Sequence, residues 1–128
     1  IVRSFEIAAE RCEDLAPAVY ARLFRELPQV QPLFRKDSEL VRGEMLARTI
    51  DALLDYVGDR AYGQFFISSE AINHTGYEVA PETFVQFFRI VSEALRDVVG
   101  ADWTSDMTKA WRDLLDDIST RVREAAPV

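Results

Sequence analysis

The chain is short of the residues that most often carry site chemistry or interrupt regular structure. Its 128 residues include one cysteine, one histidine, two methionines, five glycines and five prolines. A lone Cys12 allows no intramolecular disulfide and no cysteine-built metal cluster. One histidine and one distant cysteine cannot supply the three or four ligands that zinc usually takes. Positive charge is scarce as well: 15 Lys and Arg stand against 22 Asp and Glu, for a net charge of −7. That balance argues against the basic face a nucleic-acid module needs, and against docking on an anionic membrane. No apolar run approaches the roughly 20 residues that span a bilayer, and no signal-peptide pattern opens the chain. The expectation is a soluble, cytoplasmic protein with neither nucleic acid nor membrane as partner.

What is present is an ample apolar inventory. Hydrophobic residues make up 48% of the chain, with eight Phe, four Tyr and two Trp, so the chain is not disordered. Its length fits one domain, expected over residues 1–128, able to bury roughly two-thirds of its unfolded surface. Glycine and proline fall at apparent joints: Pro28 with Pro32, Gly58 with Gly63, Gly76 with Pro81, and Gly100. Between the joints the apolar spacing is helical. Residues 15–27 carry Leu15, Val19, Leu23 and Leu27, and residues 39–57 carry Leu46, Ile50, Leu53 and Val57. Residues 82–99 carry Phe84, Phe87, Phe88, Val91, Leu95 and Val98, and residues 105–125 carry Met107, Ala110, Trp111, Leu114, Leu115, Ile118 and Val122.

Start signals agree with these spans. Asp14 can cap the second helix, with Pro17 in its first turn; Pro81 and Glu82 suit the opening of another. Thr104 or Ser105 can cap the last. The opening segment, Ile1 to about Glu10, reads as an uncapped helix already under way, so the natural chain is expected to begin earlier. No segment alternates in the manner of a strand. The fold class is all-α, without a β-sheet.

His74 follows a short helical segment, Phe65 to Asn73, and precedes Thr75-Gly76-Tyr77-Glu78-Val79-Ala80-Pro81. A solitary histidine is more often structural than a ligand. If it does bind a metal, a cofactor must supply the remaining ligands, and a porphyrin asks the protein for one axial imidazole. Four segments in register then resemble a bacterial globin of the flavohaemoglobin and single-domain haemoglobin type. Val19-Tyr20-Ala21-Arg22-Leu23-Phe24 is similar to its B helix, and Leu27-Pro28-Gln29-Val30-Gln31-Pro32-Leu33-Phe34 to its C helix and following corner. His74 to Phe84 resembles the end of its F helix and the FG corner. Gly100-Ala101-Asp102-Trp103-Thr104, with Lys109-Ala110-Trp111, resembles its GH turn and H helix. The resemblance covers about Phe5 to Ala125. It implies a globin fold of about seven helices around a haem b pocket.

Carried over residue by residue, the resemblance makes His74 the proximal iron ligand and Tyr20 the distal hydrogen-bond donor to bound gas. Phe34 would wedge the haem, Val79 would lie under it and Phe84 would line it. Arg42 and Leu46 would stand over the distal face; a slip of one residue would put Val41 and Met45 there instead. Phe24, Ile50 and Phe88 complete the candidate lining, although an ordinary helical core would use the same residues. A backbone carbonyl is the alternative partner for a buried Tyr20 hydroxyl. Arg42 is expected to turn outward, to a haem propionate or Glu39, because burying a lone charge is costly.

Two departures from the family bear on activity. Its proximal network joins a tyrosine early in the G helix to a glutamate late in the H helix; here those positions read Phe84 and about Ala126. Ser68, Ser69 and Glu70 are polar where the F helix usually carries an apolar residue. Glu70, four residues before His74, could accept from its ring or simply be solvated. Asn73-His74-Thr75 matches the glycosylation pattern by chance, and the carboxylates near Glu10 and Asp116 suit exposed helix faces. The leading function is reversible binding of dioxygen, nitric oxide or carbon monoxide by a monomer or homodimer. Alternatives are nitric oxide dioxygenation with a separate reductase, and a globin-type gas or redox sensor module.

Overall fold

A computed structural model of the chain describes residues 1–34 and 39–126. Six α-helices follow one another: α1 (Val2–Arg11), α2 (Ala16–Glu26), α3 (Glu39–Val57), α4 (Gly63–Thr75), α5 (Pro81–Val99) and α6 (Ser105–Ala125). Short 3-10 helices at Pro28–Phe34 and Gly100–Asp102 complete the set, and there is no strand among the described residues. The Pro28–Phe34 segment stands where the sequence suggested a C helix, and its two prolines explain its tight winding. No helix among the described residues is long and apolar enough to cross a membrane. The corner after Phe34, whose length sets the distal register, lies outside the described residues.

α5 is the central element, in contact with α1, α2, α4 and α6. Its faces feed two apolar clusters. Phe84, Phe88, Leu95 and Val99 join Ile7, Leu53, Ile67, Trp111 and Ile118 in the larger one. Ile90, Val91 and Ala94 join Val19, Tyr20, Leu23, Val30 and Leu46 in the smaller. Burying a large aliphatic side chain stabilises the fold by about 1.5–3 kcal/mol, so these clusters dominate the folding energy. Val57, assigned to the apolar stripe of α3, is instead exposed at the end of that helix.

Local polar groups set the helix ends. Leu15, not Asp14, holds the N-cap position of α2 and makes no side-chain cap; Asp14, one residue earlier, accepts from the Ala16 N–H at 3.0 Å, ahead of Pro17 in the first turn. Of the two candidates at α6, Thr104 is the cap: its hydroxyl accepts from Met107 N–H at 3.1 Å. Gly100 has φ +63°, in the left-handed region that favours glycine, and there the chain turns from α5 toward α6. Arg11 closes this turn onto α1 by donating to the Val99 carbonyl and the Asp102 carboxylate. Trp111 donates to the fully buried Ser4 hydroxyl at 3.1 Å, which ties α6 to α1.

The corner between α3 and α4 is held by one carboxylate. Asp55 accepts the main-chain N–H groups of Ala61 at 3.2 Å, Tyr62 at 2.9 Å and Gly63 at 2.6 Å. These hydrogen bonds, the one from Gly63 foremost, hold its pKa below the ordinary 3.8. Gly63 lies so close to α3 that an added Cβ would meet the Ala52 carbonyl oxygen at 2.3 Å. Gly43, in the second turn of α3, has nothing within 4 Å of the same position.

Two outcomes follow for stability. Gly63→Ala should lose about 1–3 kcal/mol in urea denaturation, while Gly43→Ala gains roughly 0.5–1 kcal/mol; equal effects would refute the close approach at Gly63. Because folding lowers the Asp55 pKa, its contribution is present above pH 3.8 and is lost as the pH falls through the folded value. The Tm difference between the wild type and Asp55→Ala should therefore be full at pH 6 and shrink in acid.

Candidate functional site

The C-terminal half of α4 presents His74, half-buried, beside α5. Its ring centroid lies 5.0 Å from that of Phe84 and 6.3 Å from that of the exposed Tyr77. Nδ1 lies 2.7 Å from the carbonyl oxygen of Glu70, one turn earlier. A carbonyl can only accept, so Nδ1 carries the proton and Nε2 the lone pair. Nε2 has no hydrogen-bond partner among the described residues. The Glu70 carboxylate stands 3.6 Å from Nδ1, too far for a hydrogen bond. The side-chain acceptor suggested at Glu70 is thus replaced by that residue's own main chain.

The backbone after His74 is pinned to it. The His74 carbonyl accepts from Tyr77 at 3.0 Å and from Val79 at 2.9 Å, with Glu78 in the left-handed region at φ 66°. Val79 consequently packs, half-buried, against the larger cluster together with Phe84 and Phe88. Ser68, Ser69 and Glu70 do not make this segment irregular: α4 is continuous through them, with Ile67 and Ala71 buried one turn apart.

The second group of candidate residues gathers around Tyr20. Its ring lies 5.7 Å from Phe34, 6.1 Å from Phe24 and 6.0 Å from Phe87. Leu46 is buried in the same cluster, and Ile50 packs against it. The Tyr20 hydroxyl donates to the Arg42 carbonyl at 2.9 Å, so the main-chain alternative holds in this structure. The Arg42 guanidinium carbon sits 5.9 Å from the ring centroids of both Tyr20 and Phe24. It forms no ion pair with Glu39; the cation rests over aromatic rings, where the π electrons attract it. Val41 is exposed and Met45 half-buried, whereas Leu46 is only 3% exposed, so Leu46 rather than Met45 is the buried residue beside Tyr20.

Two neighbouring aromatics join these groups. Phe87 and Phe88 lie 6.3 Å apart; Phe88 is 5.4 Å from Phe84, and Phe87 reaches Tyr20. A line of rings thus runs from His74 to Tyr20 across α5. Phe87 belongs to the apolar stripe read from the sequence but not to the candidate lining. Its adjacency to Phe88 was the available signal, because successive helical residues point about 100° apart and serve two faces. Among the described residues no cluster of three or more His, Cys, Asp or Glu could hold a metal.

An all-helical sandwich with one oriented imidazole at the edge of an aromatic cluster has the architecture of the globin fold. The chain belongs to the globin family: the family's model matches residues 17–122. No curated protein and no solved structure matches it. Membership supports haem binding in general, and the residues fit that group. A single imidazole offers an unpartnered Nε2, four ligands are left for a macrocycle to supply, and aromatic rings stand on both sides of α5.

The aromatic line yields a stability prediction in the haem-free protein. Phe88→Ala should cost about 3–5 kcal/mol, because it empties a buried site. Tyr20→Phe should cost about 0.5–1.5 kcal/mol, because it removes the hydrogen bond from the hydroxyl to the Arg42 carbonyl. Urea denaturation followed by circular dichroism measures both, and a larger loss from Tyr20→Phe than from Phe88→Ala would contradict this ranking.

Proposed function

We propose that the chain is a haem-binding globin of the bacterial single-domain type that reversibly binds a diatomic gas. The observation that carries this reading is the orientation of His74. Its Nδ1 proton is committed to the Glu70 carbonyl, which leaves Nε2 as the basic atom for an axial ligand. Haem b would be held through His74 Nε2 and would supply an iron able to bind dioxygen, nitric oxide or carbon monoxide. His74 is the proximal ligand, with Phe84 and Val79 packed beside it to restrain the ring and exclude water. Tyr20, Phe34 and Leu46 form the distal wall.

On this reading Tyr20 has two uses for one proton. With no ligand it donates to the Arg42 carbonyl, as observed. Turned toward a bound gas, it would exchange that acceptor for the ligand and slow its release. Arg42 stays near the rim of the aromatic rings, where its charge keeps access to water. Phe84 carries no hydroxyl to reinforce His74, so the proximal donor relies on a main-chain acceptor, a weaker electron push than an anionic one. Simple gas binding is favoured over dioxygen-activating chemistry for this reason.

The test is a haem titration followed by visible spectroscopy. The wild type should develop a saturable Soret band, and His74→Ala should lose it or shift it strongly. The haem-free His74→Ala protein should remain within about 1–1.5 kcal/mol of wild-type stability, because the ring is half-exposed. A normal Soret band in that variant would remove His74 from the proximal position. Tyr20→Phe should speed dioxygen release by about tenfold, the loss of one hydrogen bond. An unchanged release rate would show that the hydroxyl stays on Arg42.

A further inference from the structure

α4 lays Ile67 and Ala71 into the core, and the side turned away from them carries Phe65 and Ile72, two turns apart. These two are 63% and 52% exposed, and Tyr62 and Tyr77, at either end of the helix, are 48% and 72% exposed. Ser69, small and exposed, lies between Phe65 and Ile72 on the same stripe. Scattered exposed apolar side chains are ordinary, but a stripe of them along one helix marks a contact surface. Among the described residues α4 is also the one α-helix whose exposed residues include no charged side chain. By contrast α1 exposes Arg3, α2 Arg25, α3 Arg48, α5 Arg96 and α6 Arg112. We infer that this face docks a basic amphipathic helix of another protein. The apolar side chains of that helix cover Phe65 and Ile72, and its Lys or Arg side chains meet Glu78 and the Tyr77 ring.

The sign of the partner follows from the distribution of charge. Between Arg60 and Arg89 the chain has no lysine or arginine, although it has 15 in all, and that stretch carries Glu70, Glu78 and Glu82. The basic residues at its two ends are engaged elsewhere. Arg60 covers the Tyr56 ring at 4.5 Å and stands 3.9 Å from the Asp117 carboxylate on α6. Arg89 is held by Glu93 at 2.7 Å and Glu26 at 3.2 Å. The last turn of α4 has no Lys or Arg to complement the negative end of its dipole, so a partner's cation is attracted there. The exposed Tyr77 adds a ring face over which such a cation can rest.

The same charges disfavour the other occupants. A second copy would set these carboxylates against each other, with a net charge of −7 on each chain. An anionic bilayer would meet Glu78 and Glu82 instead of the lysines and arginines that hold amphipathic helices on lipid. A basic helix meets neither obstacle, and its anchors recur at the seven-residue spacing that separates Phe65 from Ile72. His74 lies on the half-buried side of α4, so the docking face does not require haem.

The probe is a synthetic helix of about 15 residues with leucine on one face and lysine on the other. Followed by 1H–15N spectroscopy, it should shift the main-chain signals of Phe65, Ile72 and Tyr77 saturably, with the same affinity in protein with and without haem. Two controls should each bind at least about tenfold more weakly: the peptide with glutamate for lysine, and one of the same composition with its apolar face scrambled. Phe65→Ser and Ile72→Ser should each weaken the peptide about tenfold without moving the urea midpoint of the protein, since both side chains are exposed. Glu78→Gln should weaken it about threefold, whereas Glu13→Gln, which removes the same charge between α1 and α2, should not. The inference is overturned if no saturable shift occurs, if the shifts spread over the surface instead of centring on α4, if either control peptide binds equally, or if both serine variants bind as the wild type does. It is equally overturned if the α4 signals move with protein concentration alone, which would make a second copy the occupant. None of these outcomes bears on the Soret spectrum, so the two readings stand or fall separately.

Discussion

α5 must bury apolar surface on more than one side, and the rest of the molecule is arranged to satisfy it. Phe84 and Phe88 point into the larger cluster while Ile90 and Val91 point into the smaller, and Phe87 crosses from one to the other. A helix so covered needs neighbours on every flank, and α1, α2, α4 and α6 provide them. The seam between the clusters is where the candidate site lies. His74 stands on one side of it and Tyr20 on the other, linked through the Phe84, Phe88 and Phe87 rings of α5. Because the rings touch edge to face, at centroid distances where their quadrupoles attract, the spacing of the two sides is held by packing rather than by any bond.

The polar interactions of the interior are few and fully matched. No buried side-chain nitrogen or oxygen among the described residues lacks a partner. Ser4 receives the Trp111 indole, and Tyr20 reaches a main-chain carbonyl. Tyr56 donates to Asp117 and lies under the Arg60 guanidinium at 4.5 Å, which links α3 to α6. Each leaves the apolar clusters intact while fixing one helix against another, which is the specificity that apolar contacts alone do not provide. The same economy governs His74, whose tautomer is set by a carbonyl that the helix would otherwise leave to its own ladder.

Much of this was legible in the residues. The helical spans followed from apolar periodicity, and Pro81, Thr104 and Gly100 marked boundaries that the structure keeps. The candidate residues around Tyr20 and those around His74 were also recoverable, because a lone histidine and a tyrosine inside an apolar stripe are conspicuous. What escaped the sequence were contacts between residues distant along the chain and choices among equivalent acceptors. Nothing in the spacing of Glu70 and His74 distinguishes the carboxylate from the carbonyl of the same residue. Similarly, Arg42 could be assigned to a helix but not to the aromatic rings it covers.

Periodicity, punctuation and composition by themselves determined that this chain is all-helical, where its long helices run and that it carries a single imidazole, His74. Those properties depend on neighbours three or four residues away, which the order of residues records directly. Tertiary structure alone decided that Gly63 sits against Ala52, that Phe87 and Phe88 join two clusters, and that the Tyr20 hydroxyl meets the Arg42 carbonyl. Such arrangements arise when independently formed helices dock, and the energy of docking is shared among many side chains rather than written in any one stretch of sequence.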